Sequence, residues 1–332
     1  MNLDTNYMGL KLRSPIVVSA STLSENMDNI LKMEDSGAGA IVMFSMFEEQ
    51  IKKENDRFDA VFRATSNVFA EAADYFPGLE DYHVGTTQYL ENIRRAKERV
   101  QIPVIGSLNG ITPQGWIDYA WQMEQAGADG LEINIFYIPA DIRLTGGAVE
   151  QRYIDIIRLV RQSVKIPIAV KLNPYFSAMG NMALMMQDAG ADALVLFNRF
   201  YQPDFDIHTL SVKHNLQYSH ASEIRLPLLW IAILSGKLDI SLAATTGVQT
   251  AGEVIKYLLA GADVAMTASA LYKHGIGYLE TMHTDLRHWM AEKGFNTVSA
   301  FKGAMNQSNI SDPDAYERAN YIRILENAKG SS

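Results

Sequence analysis

The chain has 332 residues, 48% of them hydrophobic, no cysteine, and a formal charge of −9. Without cysteine there are no disulfides, thiolate metal sites or iron–sulfur clusters, and no cysteine nucleophile or base. The acidic balance argues against a nucleic-acid surface or an anionic-membrane footprint, and the length suits two ordinary domains or one large α/β barrel with insertions.

Met1 to Leu12 has no apolar stretch flanked by basic residues, so it does not read as a signal peptide. The longest uncharged apolar run, around Leu226 to Leu234, falls far short of about 18 residues. The expectation is a soluble cytoplasmic protein.

In chain order, Asn2 to Leu12 predicts a hairpin with Gly9 near its turn. Pro15 to Ala20 reads as the first buried strand and Met27 to Ser36 as a helix. A second strand ends near Phe44 and Ser45, followed by a long mixed insertion over about residues 46–86. Thr87 to Val100 is helical and Ile102 to Leu108 is strand three. Pro113 to Gln125 is a helix with Thr112 as N-cap. Strand four is Leu131 to Ile135, and a second insertion covers 136–148.

Val149 to Val164 shows helical spacing, and Pro167 to Leu172 is strand five. A helix over Met179 to Asp188 leads to strand six, which ends at Asn198. A third insertion spans 199–218. Ser222 to Leu234 is helical if Pro227 sits in its first turn. Strand seven is Ile240 to Ala244, a helix covers Ala251 to Leu259, strand eight is Val264 to Thr267, and Tyr278 to Lys293 is a helix.

A short phrase recurs through this series. Gly37-Ala38-Gly39-Ala40, Ala126-Gly127-Ala128-Asp129, Ala189-Gly190-Ala191-Asp192 and Ala260-Gly261-Ala262-Asp263 each close a helix and open an apolar run. Eight strands alternate with eight helices, and the long insertions all follow strand ends. That asymmetry predicts a single-domain (β/α)8 TIM barrel over residues 1–332. An open doubly wound sheet is the alternative, and no nucleotide fingerprint supports it.

In such a barrel, polar residues at strand C-termini are the candidates: Ser19, Ser21, Ser45, Ser107, Asn109, Asn134, Lys171, Asn173, Asn198, Thr245, Thr246, Thr267 and Ser269. Lys171 is a lone cation on an apolar strand, suited to a ligand that carries or develops negative charge, or to a rim ion pair. Thr245 to Thr250 and Ala268 to Leu271 follow strands seven and eight, the usual phosphate site of a barrel. The seven histidines show no metal-ligand spacing, and no metal site is expected.

These strand ends resemble a known family. Val170-Lys171-Leu172-Asn173-Pro174-Tyr175-Phe176, Glu132-Ile133-Asn134, Thr246-Gly247-Val248-Gln249-Thr250 and Ala268 to Lys273 are similar, in that order, to segments of the dihydroorotate dehydrogenases, most like the soluble class 1A enzymes. The resemblance covers about residues 3 to 305. It implies FMN as cofactor. Ala20 and Ser21 would approach the flavin, and Asn134 and Asn198 would reach flavin and substrate. Lys171 would stabilise the anionic reduced ring, and Gly247, Ala268 and Ser269 would hold the phosphate. Ser45, Asn109 and Thr246 complete the expected cofactor set.

The departures concern the substrate half. Tyr137 stands where the family has its cysteine or serine base, and Phe44 where it has a lysine. Tyr75-Phe76-Pro77-Gly78-Leu79 replaces an asparagine-containing segment. A phenol with an ordinary pKa of about 10 is a weak base at neutral pH. The expected substrate set is therefore Phe44, Gly78, Leu79, Asn134, Asn198 and Arg199, the last suited to a substrate carboxylate or a rim salt bridge. The leading expectation is an FMN-dependent oxidoreductase acting on CH–CH bonds, with a small-molecule substrate other than dihydroorotate and a soluble electron acceptor. The alternatives are a non-catalytic flavin-binding protein and a Schiff-base, aldolase-like lyase using Lys171. The resemblance also implies a homodimer.

Overall fold

The computed structural model of the chain describes residues 1–48, 85–199, 204–213 and 217–317, with positions 322 and 326. A short hairpin comes first: β1 (Thr5–Tyr7) pairs with β2 (Leu10–Leu12), turning at Gly9 with φ +81°. Then come β3 (Ile16–Val18), α1 (Met27–Asp35), β4 (Ile41–Phe47), α2 (Gly85–Arg99), β5 (Val104–Asn109), α3 (Pro113–Gln125) and β6 (Gly130–Asn134). The series continues with α4 (Gly146–Ser163), β7 (Ile168–Leu172), α5 (Met179–Asp188), β8 (Ala193–Leu196), β9 (Asp204–Asp206) and β10 (Ser211–Lys213). It ends with α6 (Arg225–Leu234), β11 (Ser241–Ala244), α7 (Ala251–Ala260), β12 (Val264–Thr267), α8 (Ser269–His274) and α9 (Tyr278–Lys293).

Strands β3 to β8, β11 and β12 pair in parallel, neighbour to neighbour, and close into a barrel. This is the (β/α)8 architecture expected from the strand series. Inward-facing Val17, Val42, Ile105, Ala169, Val195, Ala243 and Met266 form one buried cluster, plugged from below by Tyr7, Met8 and Leu12 of the hairpin. Outward-facing residues such as Leu131, Ile133 and Val170 pack against the helices in a second cluster. Each fully buried side chain of this size contributes about 1.5–3 kcal/mol.

The recurring phrase has a physical role at the foot of the barrel. Gly37, Gly127, Gly190 and Gly261 all adopt positive φ, between 95° and 111°. The aspartates then stitch neighbouring strands. Asp129 Oδ2 accepts the Val104 N–H at 2.7 Å, Asp192 Oδ2 that of Ile168 at 2.8 Å, and Asp263 Oδ2 that of Leu242 at 2.8 Å. Lys97, Arg161 and Lys302 pair with the same three carboxylates. The first copy has Gly39 in place of aspartate, because a Cβ there would collide with the Ser14 carbonyl.

Two insertion boundaries shift, and the third insertion carries a hairpin. Strand β4 runs on to Phe47, so the first insertion begins later than residue 46, and positions 49–84 lie outside the described residues. Helix α4 starts at Gly146 because Thr145 caps it, accepting the Ala148 N–H at 3.3 Å. Within 199–218, β9 and β10 form an antiparallel hairpin, Phe205 opposite Val212; the alternation was too short to register as strand. Pro227 does sit in the first turn of α6.

Candidate active site

A cavity of about 380 Å³ opens at the carboxyl ends of the barrel strands. Fourteen of the candidate residues wall it: Ser19, Ala20, Ser21, Ser45, Asn134, Lys171, Asn198, Arg199, Thr245, Thr246, Gly247, Thr267, Ala268 and Ser269. They come from seven strand ends, and only closure of the barrel makes them neighbours.

The deep side is polar and paired. Lys171 points into the barrel beside Glu132, with Nζ 3.3 Å from Oε1. Glu132 is fully buried, and its Oε2 has no hydrogen-bond partner. Lys171 thus satisfies both sequence expectations: it faces the cavity and it is ion-paired. Asn198 Nδ2 donates to Asn134 Oδ1, linking the ends of β6 and β8. Ser45 Oγ lies 2.8 Å from Ser107 Oγ. Behind Ser107, the Tyr89 hydroxyl accepts its N–H at 2.8 Å and donates to its carbonyl at 3.1 Å. Burial pushes the Tyr89 phenol far above its ordinary pKa, so it stays a neutral donor. Tyr153 braces the end of β6 in the same way, donating to the Ile135 carbonyl at 3.0 Å. Burial, partly offset by the Asn173 amide, pushes its phenol up to about 12.

The opposite side is built on a strained turn. Thr246 and Gly247, just past β11, have φ of +76° and +78°. A β-branched residue pays for that backbone. The turn is held by Tyr257, whose hydroxyl donates to the Thr246 carbonyl at 2.8 Å, and by Thr246 Oγ1, which donates to the Phe197 carbonyl at 3.2 Å. Ser219 joins the two strand ends. Its Oγ accepts the Gly247 N–H at 3.2 Å and lies 2.9 Å from Ser269 Oγ. Gln249 donates to Ser269 Oγ at 2.6 Å, and Lys273 donates to Gln249 at 2.9 Å. The result is a cluster of N–H and O–H groups suited to an anionic oxygen.

At the mouth, Arg199 Nε pairs with Glu223 Oε2 at 2.9 Å, and its guanidinium also donates to the Gln217 carbonyl. Burial pushes the Glu223 carboxyl up, but the Arg199 hydrogen bond and the His220 N–H outweigh it and hold it below its ordinary value.

The family profile described as dihydroorotate dehydrogenase matches residues 2–290 of this sequence. The chain belongs to the dihydroorotate dehydrogenase family. At the family level its chemistry is that of a dihydroorotate dehydrogenase-like oxidoreductase.

Several similar proteins carry dehydrogenase names. The chain is 25% identical over 306 residues to the catalytic subunit of dihydroorotate dehydrogenase B (NAD(+)) from Thermoplasma volcanium, covering 91% of this chain and 98% of that one. It is 25% identical over 309 residues to the same subunit from Pyrococcus abyssi, with 91% and 98% covered. It is also 22% identical over 344 residues to the NAD-dependent dihydropyrimidine dehydrogenase subunit PreA of Escherichia coli, with 94% and 79% covered.

Against this dihydroorotate dehydrogenase background, several expected site residues lie elsewhere. Asn109 is buried at the end of β5, opposite Phe47, and does not wall the cavity. Phe44 turns away and meets Tyr89 edge-on, ring centres 4.8 Å apart. Tyr137 is half-buried under the Arg152 guanidinium, 4.3 Å from its ring centre, and is also outside the wall. Gly78 and Leu79 lie outside the described residues. The sequence reading missed Gln217, Tyr218, Ser219 and Tyr272 as wall residues. Tyr272 stood inside the quoted Ala268–Lys273 segment; Tyr218 and Ser219 gave only the weak signal of preceding a helix. Tyr218 stacks on Tyr272 with ring centres 5.3 Å apart, and Tyr272 meets Thr22 at 2.6 Å.

Among the described residues no helix is long and apolar enough to cross a membrane, and no group of three or more metal-ligating side chains is found.

Proposed function

We propose that this chain is an FMN-dependent oxidoreductase acting on a CH–CH bond of a small molecule, with a substrate other than dihydroorotate. The observation that carries the reading is a single cavity with a carboxylate-paired lysine on one side and a strained, donor-rich turn on the other.

The wall residues fit the cofactor. The volume, about 380 Å³, falls within the range of small-molecule sites. Ser21 Oγ is buried in the wall with no hydrogen-bond partner, as expected of a group that serves a ligand. Gly247, Ala268, Ser269 and Ser219 would hold the phosphate. Lys171 and Asn134 would hold the ring, with Ala20 and Ser21 against it. FMN, when bound, supplies a two-electron acceptor whose reduced form is anionic, and a cation beside the ring favours that form.

The chain's own part is orientation and charge. Glu132 pairs with the ammonium of Lys171, a wall residue, and the Asn134–Asn198 pair would offer amide groups to a substrate. No base is assigned to Tyr137, which is stacked on Arg152 outside the wall. The electron acceptor is a soluble one in this reading, because a chain without cysteine builds no iron–sulfur relay of its own.

The visible spectrum of the purified protein tests the cofactor. A flavin band, retained or restored on adding FMN, is expected; a colourless protein that takes up no FMN defeats the reading. Anaerobic mixing with dihydroorotate tests the substrate, and prompt bleaching of the flavin would restore the ancestral one.

A further inference from the structure

We infer that Lys273 is a positioning residue for the phosphate end of the cavity. It sets the direction of a hydrogen-bond relay through Gln249, Ser269 and Ser219, so that one hydroxyl hydrogen is left for the ligand and the site selects a phosphate monoester over the corresponding alcohol. This rests on the FMN reading of the cavity and deepens it with a specificity determinant outside the wall.

Segments from successive strand ends meet in the relay. Ser219 follows β10, Gln249 follows β11, and Ser269 and Lys273 belong to α8, past β12. Lys273 Nζ donates to Gln249 Oε1 at 2.9 Å and to the Ser219 carbonyl at 3.2 Å. Gln249 Nε2 donates to Ser269 Oγ at 2.6 Å. The hydroxyl oxygens of Ser269 and Ser219 lie 2.9 Å apart, and Ser219 Oγ accepts the Gly247 N–H at 3.2 Å. Ser219 and Ser269 wall the cavity, while Gln249 and Lys273 lie outside the wall.

A side-chain amide has a donor end and an acceptor end, and its partners decide which way it points. An ammonium has donors only, so the Gln249 atom that Lys273 meets is the carbonyl oxygen. That turns the Gln249 NH2 toward Ser269. Ser269 Oγ then receives from Gln249, and Ser219 Oγ receives from Gly247. The two serines keep their own hydroxyl hydrogens, and the Ser219–Ser269 contact uses one of them. The other is left for the cavity, whichever serine carries it. Turning Gln249 over changes that count. Its carbonyl would take the Ser269 hydrogen, Ser269 would take that of Ser219, and none would be left.

The count decides which ligand fits. A phosphate monoester offers acceptor oxygens and negative charge, and the remaining O–H serves one of them through a charge-assisted bond. A terminal alcohol both donates and accepts, so it pairs with the relay running in either direction. Lys273 thus acts on the ligand through Gln249 and Ser269, at a distance of two hydrogen bonds from the serine.

FMN and riboflavin share the ring and its side chain and differ in the phosphate, so they are the probes. Each is titrated into the full chain stripped of flavin, following the quenching of flavin fluorescence. Lys273→Met lets Gln249 turn over and is expected to weaken FMN by about tenfold or more while leaving riboflavin within about threefold. Lys273→Arg is again a pure donor and is expected to keep the parent's preference for FMN. Lys273→Met with Gln249→Leu lacks the amide that turns over and is expected to regain about threefold or more of the lost FMN affinity. Lys273 is exposed, and denaturant midpoints check that each variant keeps the fold. A parent that binds both flavins equally, or a Lys273→Met variant that weakens both alike or neither, overturns the inference and leaves the cofactor reading standing. A double variant no better than Lys273→Met overturns the directional role of Lys273. A parent that takes up neither flavin fails earlier, on the cofactor itself.

Discussion

Lys171 and Glu132 form an ion pair inside the barrel, Nζ to Oε1 3.3 Å, with the two side chains 10% and 0% exposed. A buried pair of this kind contributes little net stability, yet removing one partner strands a charge in a dry interior. Lys171→Met is expected to cost about 3–5 kcal/mol in urea unfolding, and Lys171→Met with Glu132→Gln to recover most of that loss. Both variants are expected to lose tight FMN binding. If the single variant is as stable as the parent, the pair is not the buried unit described here.

The turn past β11 depends on glycine. At Gly247, with φ +78°, a Cβ would come within 2.6 Å of Ile224 Cγ2 and 2.9 Å of the His220 carbonyl. Gly247→Ala should therefore lose at least the left-handed penalty of about 1–2 kcal/mol, and FMN affinity with it. Tyr257→Phe removes the hydroxyl that donates to the Thr246 carbonyl and should cost about 1–3 kcal/mol. Denaturant midpoints and FMN titration report both.

Tyr137 occupies the base position by resemblance but stacks on Arg152 outside the cavity wall. Loss of a true general base slows reaction by about 100-fold or more. Tyr137→Phe is expected to slow flavin reduction much less than that in stopped-flow. A drop of that size would return Tyr137 to the catalytic machinery.

Stability should fall on mild acidification through His283. Its Nε2 lies 2.6 Å from Ser14 Oγ and its Nδ1 2.7 Å from the Leu279 carbonyl, under α9 at the foot of the barrel. Burial pushes its pKa below the ordinary 6.5; the Leu279 carbonyl opposes this, and Arg287 and Arg13 add to it. The unfolded chain then binds a proton before the folded one does. The stabilisation is fully present above pH 6.5 and is lost as pH falls from there through the depressed folded value. Denaturant midpoints measured from about pH 7.5 down to about pH 5.5 should decline, and His283→Gln should flatten that decline.

The barrel was legible because its signals are local. Glycine at four helix ends, aspartate after three of them and the apolar runs beyond fixed the strand count, and long insertions after strands marked the working face. Thr112 and Pro113 announced a helix start that the structure reproduces at the same residue. The hairpin Asp204–Asp206 with Ser211–Lys213 was not legible, since three residues per strand give too little alternation.

Fourteen wall residues could be named in advance, most of them because polar groups at barrel strand ends have few other places to go. Their pairing could not. Glu132 and Lys171 lie 39 positions apart, and Asn134 and Asn198 lie 64 apart. Nothing in the sequence says that Lys171 meets a carboxylate, that Arg199 is tied to Glu223, or that Phe44 turns toward Tyr89 and away from the cavity. The sequence by itself determined the fold and the family, because helix stops, strand hydrophobicity and strand-end motifs act over a few residues. Only the tertiary structure decided which charges are neutralised and which polar groups remain for a ligand, because those pairings arise when strands distant in the chain are closed into one barrel.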